Sequence, residues 1–503
     1  MLLRDKLLIQ SFAGQFALCW PQCAADHPCR GRAMNRFRLS GIIVAMAVGL
    51  SSAADADVIR VAVGTQDTTI NCATGGLLIR ELKLLEKHLP RDGKYTGVTY
   101  DIQWKNFTSG APLTNEMVAG KLDFGAMADF PGSLNGVAFQ KAGRRSLFIA
   151  TLSGSTKGSG NGIVVPTNSP VQSIAELKGK TISVPFASTS HGMLLRAIKA
   201  QGWNPETDVN IITQAPEVAG PALQASKIEA HADFVPFAEL FPWRGFARKI
   251  FDGSQANAPT FHGGLVDAEY AEKYPEIVVA YLRAALEADS LIAAEPEKYS
   301  ELISRVTGIE PEVNYLFHGP LGLQTRDMTW KPEYRQAVQT SIETFKFLKR
   351  ADSDLDINKF VTDKYIRTAL SQAGRDYDAE LKNYSQLQLK AKDAVTGADI
   401  VDATRLAQIW VKGEPVVRHY ASPENALKAL AAIEKEGKSV RVVYAQDRES
   451  GIKLFAQQAW FVRASNGELS AFLSKGVAED WAKAKGGQVV DYAGAREPLV
   501  VSR

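Results

Sequence analysis

Sulfur is scarce in this chain. Its 503 residues include four cysteines and seven methionines, and Cys19, Cys23 and Cys29 all fall near the start. Those three lie in a segment expected to be discarded, so they are not read as a metal cluster. Cys72 alone is left, which excludes an internal disulfide in the mature chain even in an oxidising compartment. An excess of one charge is also missing. A net charge of +3 over this length leaves no basic stripe and excludes nucleic acid as a partner. No Gly-rich phosphate loop followed by Lys and Ser is present, so there is no sign of an ATPase. The apolar run Gly41–Leu50 is ten residues long, too short to span a bilayer.

That run has a use. Met34-Asn-Arg-Phe-Arg-Leu opens a basic segment before it, and Ala54-Asp-Ala56 offers small residues after it. The pattern predicts a secretory signal peptide over 34–56, a mature chain starting near Asp57, and residues 1–33 as an over-extended start. A leader with its own role is the alternative. The expected compartment is the periplasm, and without a cysteine at the cleavage point no lipid anchor is expected. With 45% hydrophobic and 22% charged residues, the rest reads as ordinary globular protein with room for two or three domains.

One stretch organises the chain. Thr181 to Phe186 is apolar and β-branched and predicts a buried strand. Met193, Leu194, Leu195 and Ile198 then predict a helix face that Gly202 ends. Between them stand Ser188, Thr189, Ser190 and His191. A helix start has unpaired N–H donors and a partial positive charge, so this turn is a candidate anion site. A plain N-cap role for Ser188 or Ser190 fits the same residues.

Around it the elements alternate. Val58–Gly64, Tyr100–Trp104 and Leu122–Met127 predict strands, with a helix bearing Leu78, Leu82, Leu85 and Leu89 and another through Leu113 and Met117 between them. This predicts a parallel sheet with helices on its faces, whose strand-end loops converge on one crevice. Four glycines within Ser153–Gly162 predict a hinge. A second β-α-β run follows through Asp233–Pro236, and the chain crosses back near Ile250–Gly264. Helix dominates from Tyr270 to Ala373. Arg375 to Gly413 reads as a solvated helical linker.

In order and spacing these segments resemble the periplasmic solute-binding proteins of ABC importers, in the nitrate, taurine and aliphatic sulfonate branch. The residues concerned are Val61–Gly64, Trp104 with Ser109-Gly110, Gly120-Lys-Leu-Asp-Phe-Gly125, Leu177-Lys-Gly-Lys-Thr181, Ser188–His191, Asn204-Pro205 and Phe251-Asp-Gly253. The chain departs from that pattern at Ser226-Lys-Ile-Glu229 and in a longer segment from Leu89 to Thr99. The tail resembles the NosL-like copper chaperones, on Tyr420-Ala-Ser-Pro-Glu424, Tyr444-Ala-Gln-Asp447, Ala459-Trp-Phe-Val462, Ala478-Glu-Asp-Trp-Ala482 and Gly486–Asp491. Copper(I) selects soft ligands, yet from 412 to 503 there is no cysteine or methionine and one histidine, His419. The pyrimidine synthases of thiamine biosynthesis share the binding-protein fold and carry a cysteine-rich motif that is absent here.

The expected architecture is therefore α/β, a two-lobed periplasmic binding-protein fold with a hinge, plus a small C-terminal α+β domain. Lobe one takes 57–152 and returns over 259–374, lobe two takes 153–258, a linker 375–411 and the tail 412–503. The expected ligand contacts are Asp67, Thr68, Trp104, Phe107, Thr108, Asp129, Ser133, Ser188, Thr189, Ser190, His191 and Pro236. Core packing for each aromatic, and turn capping for Asp67 and Asp129, are the plainer alternatives. If either carboxylate faces the crevice it opposes a bare anion and favours a ligand carrying an amine. No cofactor, metal or catalytic residue is expected. The partners implied by the resemblance are a small polar or anionic solute, an inner-membrane permease and a protein contact for the tail. Two other readings stand: a metal-linked role, marked by soft ligands in the crevice, and an enzyme on this fold, marked by a Cys–His pair within hydrogen-bond reach.

Overall fold

A computed structural model of the chain describes residues 57–347, 355–384 and 390–497. The signal peptide and the over-extended start expected before Asp57 lie outside the described residues.

Lobe one begins with β1 (Val58–Thr65), β2 (Thr99–Asn106), β3 (Phe124–Ala128) and β4 (Ser146–Ser155). Lobe two follows with β5 (Gly162–Pro166), β6 (Thr181–Val184), β7 (Asn210–Thr213), β8 (Ala230–Asp233) and β9 (Ala247–Asp252). The chain returns to lobe one as β10 (Thr260–Asp267). The sheets run β2-β1-β3-β10-β4 and β7-β6-β8-β5-β9. Each is mixed, not purely parallel: β1, β2 and β3 are parallel and β10 runs against β3 and β4. In lobe two β6, β7 and β8 are parallel and β5 opposes β8 and β9. The returning strand must come back from the other lobe, and it enters antiparallel.

The glycines of the crossing pack tightly. Gly158 has φ +100, and a Cβ there would lie 2.2 Å from the Ala258 carbonyl oxygen. A Cβ on Gly253 would lie 2.3 Å from the Gly158 oxygen. The two crossings, one on each side of lobe two, therefore lie backbone against backbone, a spacing that only glycine permits.

The predicted first helix is broken. A 3₁₀ turn, Ile70–Gly75, leads to helices Leu77–Glu81 and Leu84–His88, with Lys83 at φ 53 between them. That break turns Leu84 inward beside Leu78, Leu85 and Leu89 and leaves Leu82 half-buried. Segment 375–411 also differs from the expected helical linker. Its described residues include a short helix, Tyr377–Leu381, a 3₁₀ turn, Ala403–Arg405, and a strand, Ala407–Val411, and Tyr377 is buried with its hydroxyl accepting from Trp330 N. Further on, the buried Asp393 accepts from Ala421 N and Asn425 Nδ2 and ties the segment to the tail.

The tail has two sheets. One runs β12-β11-β13-β14, from β11 (Ala407–Val411), β12 (Arg418–Tyr420), β13 (Val440–Gln446) and β14 (Lys453–Phe455). The other runs β16-β15-β17, from β15 (Trp460–Arg463), β16 (Leu469–Phe472) and β17 (Gln488–Val490). Ser422 caps helix Pro423–Lys435, accepting from Asn425 N. The second sheet has a small cluster of its own around Val462, Phe472 and Ala478, whereas the first shares its core with lobe one. Tyr315 of lobe one packs between Trp410 and Tyr444, at 5.4 and 5.5 Å between ring centroids, inside one continuous cluster. Arg441 pairs with Glu301 and Glu312, and the Tyr444 hydroxyl donates to Glu312 O.

Candidate functional site

A cavity of about 450 Å³ lies between the lobes. Its lobe-one wall comes from the loop after β1 (Gln66, Thr69), the loop and helix after β2 (Thr108, Ser109, Asn115) and His262 on β10. Its lobe-two wall is the turn Pro185–Thr189 with Phe234. Parallel strands end on this side and antiparallel β10 begins on it, which is why the loops meet here. In this conformation the lobes touch where Ala187 packs beside Phe130 and Leu134.

The turn after β6 behaves in part as the plainer reading has it. Ser188 is the N-cap of helix Thr189–Ala200 and accepts from His191 N at 3.2 Å. Its hydroxyl donates to Pro185 O at 2.6 Å and stands 2.8 Å from Ser190 Oγ. Thr189 donates to Asn161 Oδ1 at 3.0 Å. Ser188 and Thr189 line the cavity, but their hydroxyls already serve the helix start and the crossing. This turn can still offer its first backbone N–H groups, which have no carbonyl partner within the helix. Ser190 and His191 are buried and do not line the cavity. The His191 ring stacks on Phe186 at 4.7 Å and 3°.

Of the lobe-one residues expected at the site, Thr108 lines the cavity and the others do not. Asp67 is ion-paired to Arg80 at 3.0 Å, and its N–H donates to Asn106 Oδ1. Thr68 is half-buried outside the lining. Trp104 packs onto the main core from the edge strand β2, and Phe107 onto a second cluster. Ser133 donates to Asp129 O, one turn back. Asp129 accepts from Phe130 N at 2.8 Å and, with Arg196 of lobe two, borders a gap of about 20 Å³, room for about one water. Burial raises the Asp129 carboxyl to about 7, outweighing the Phe130 N–H and the nearby Arg196. Pro236 follows a cis peptide and leads into helix Phe237–Trp243, while Phe234 meets the cavity instead. Neither carboxylate faces the cavity, so the electrostatic objection to an anion falls away.

The lining also holds residues the sequence did not single out as contacts. Gln66 anchors its amide on Ala126 O, and the buried Thr69 hydroxyl has no hydrogen-bond partner. His262 Nδ1 lies 3.1 Å from Cys72 Sγ. This is the Cys–His proximity that marked the enzyme reading. Burial, helped by the Asp67 charge, raises the thiol, and burial lowers the imidazole to about 3. Both shifts favour a neutral thiol and imidazole over a thiolate–imidazolium pair. A second chain, Ser183 to His231 Nδ1 at 2.7 Å and His231 Nε2 to Asp233 at 2.8 Å, resembles a hydrolytic triad in order. All three residues are fully buried in the lobe-two sheet and none borders the cavity. Among the described residues no group of three or more His, Cys, Asp or Glu is placed to hold a metal ion.

A model of the family described as NMT1/THI5 like matches residues 110–299. The taurine-binding periplasmic protein of Escherichia coli (strain K12) is 29% identical over 289 residues, 54% of this chain and 86% of the relative. The crystal structure of the periplasmic aliphatic sulphonate binding protein from Escherichia coli matches with a TM-score of 0.50 and 25% identity, covering 62% of this chain and 99% of that one. The alkanesulfonate-binding protein from Xanthomonas axonopodis pv. citri, bound to MOPS, gives a TM-score of 0.50 at 22% identity over the same shares. These matches do not bear out the expected resemblance of the tail to copper chaperones. The fold is that of the two-lobed periplasmic solute-binding proteins, and residues 110–299, within the cleft-forming segment, match the NMT1/THI5-like family model.

Proposed function

We propose that this protein captures a small anionic or zwitterionic solute, of the sulfonate or taurine type, by lobe closure and hands it to an inner-membrane ABC permease. The observation that carries this is the interlobe cavity, whose mainly apolar wall, with Leu134, Val137, Phe186 and Phe234, holds a few hydroxyl, amide and imidazole groups. Its charged residues, Lys141 and Glu217, are both exposed at its edge. A small anion desolvated there meets hydrogen-bond donors from both lobes, and contacts made to both favour the closed state. Lys141 and Glu217, of opposite sign and on different lobes, suit a ligand with both charges. The similarity to sulfonate- and taurine-binding periplasmic proteins supports the ligand class and the transport role. Calorimetric titration with taurine, ethanesulfonate and nitrate tests the reading. Saturable 1:1 binding of a sulfonate, with a raised melting temperature, is expected. No binding of any of the three overturns it.

A further inference from the structure

Cys72 and His262 are 190 positions apart, on the 3₁₀ turn after β1 and at the start of β10, and they meet at the floor of the cleft. Both are almost fully buried, at 2% and 3% exposure. A buried neutral thiol has one proton to give, and the acceptor it meets is His262 Nδ1. When S–H donates to Nδ1, the ring's own proton must sit on Nε2, because a neutral imidazole carries one N–H. Nε2 has no protein hydrogen-bond partner among the described residues, yet it is not among the buried polar atoms sealed without one. Since His262 borders the cavity, that nitrogen opens onto the cleft.

We propose that the Cys72 thiol fixes His262 as an Nε2–H donor, and that His262 receives a negatively charged oxygen of the solute. This rests on the reading of the cleft as a solute site and adds which end of the solute lies where. Cys72 is a positioning residue that never touches the ligand. The arrangement selects an acceptor-bearing oxyanion end and rejects a metal ion, because Nδ1 is occupied and Nε2 carries a proton. It also gives the single retained cysteine a role other than nucleophile.

Nitrogen-15 histidine spectra of the full chain, read with and without taurine or ethanesulfonate, test the proposal. The His262 signals, assigned with His262→Gln, should show a protonated Nε2 in the free protein and a shift of that nitrogen on saturation. Cys72→Ser keeps an O–H donor and should keep the tautomer and the affinity within a few-fold. Cys72→Ala should mix the tautomers and weaken binding by about 5- to 10-fold with the melting temperature read alongside. His262→Leu should cost about 10- to 100-fold, the range for a hydrogen bond to a charged group, and His262→Gln, which keeps a donor near the same place, should recover most of it. A proton on Nδ1 in the wild-type protein overturns the proposal, as does a tautomer unaffected by Cys72→Ala. Failure of the wild type to bind either sulfonate removes the reading of the cleft. The free-protein tautomer would still decide the role of Cys72.

Discussion

Trp243 of lobe two packs on Phe455 of the tail, with ring centroids 4.7 Å apart. The tail thus touches both lobes, in different ways. Toward lobe one it is held by directional bonds: Arg441 to Glu301 and Glu312, Tyr444 to Glu312 O, Val417 N to Glu297, and Lys453 to Pro320 O. Toward lobe two it makes this ring contact, and Lys157 of the crossing donates to Ser450 O at 3.5 Å. Rings can part or slide where a bidentate guanidinium cannot. The tail should therefore travel with lobe one and bear on lobe two. An aromatic pair contributes about 0.5–1.5 kcal/mol beyond its buried area. Trp243→Ala should shift the lobes toward open and weaken taurine binding by about 2- to 10-fold. Small-angle scattering of the free protein and calorimetry read the two effects, and an unchanged radius with unchanged affinity would show that the tail leaves closure alone.

The first helical turn after β6 can be tested at one position. Thr189 is the first residue of its helix, and Ser188 before it is extended, at φ −100 and ψ 168, a geometry that proline accepts in its neighbour. Thr189→Pro removes one backbone N–H while the helix start is tolerated. It should lower sulfonate affinity by about 10-fold. Thr189→Val, which loses only the hydroxyl bond to Asn161, should stay within about 3-fold. Ser188→Ala should instead cost stability, about 1 kcal/mol for a lost cap, and shift the thermal melt more than the binding isotherm. Equal binding by the proline and valine variants would show that the solute takes no backbone donor here.

What the sequence shows and what it hides divides along physical lines. The alternation at Tyr100, Ile102 and Trp104 and the run Thr181–Phe186 are local signals, and both became strands, though the second stops at Val184 and leaves Phe186 exposed. The glycines around 153–162 marked the crossing between lobes. The direction a side chain takes at a strand end is not local. Asp67 and Thr69 are two residues apart, yet one turns to Arg80 and the other to the cavity. His262 reaches the cleft only because β10 returns antiparallel between β3 and β4. The broken helix at Lys83 hid behind a correct 3.6 periodicity. The joint of tail and lobe one was equally hidden, since nothing local to Tyr315, Trp410 or Tyr444 shows that their rings meet.

Asp129 gives a pH signature. Its folded carboxyl is raised to about 7 by burial, whereas an unfolded aspartate titrates near ~3.9. Between those values the native state holds the extra proton, so stability falls as pH rises through that window. Below it, with both states protonated, the effect is absent. Asp129→Asn keeps an oxygen for the Phe130 N–H and carries no charge. It should flatten the stability profile between about pH 4 and 7 and raise the melting temperature at neutral pH. Urea melts across that range provide the check. An unchanged slope would mean that Arg196 compensates the charge fully.

Lys453 supplies the opposite slope and a test of the joint between tail and lobe. It is 1% exposed, donates to Pro320 O at 2.6 Å, and lies over the rings of Tyr315 at 4.7 Å and Tyr444 at 5.4 Å. No carboxylate forms an ion pair with it among the described residues, and burial holds its ammonium well below the usual range. The unfolded chain binds the proton more readily than the folded one, so folding gains stability as pH rises toward the ordinary lysine value. The two rings and one carbonyl offset only part of the desolvation cost. Lys453→Met has similar length and removes the charge at the cost of leaving one carbonyl unbonded, about 1–3 kcal/mol. The variant should lose the rise in stability above neutral pH and melt no lower than the wild type at pH 7. A variant that melts markedly lower there would mean that Lys453 stays charged in place and that its contacts, not the surrounding apolar packing, hold the tail to lobe one.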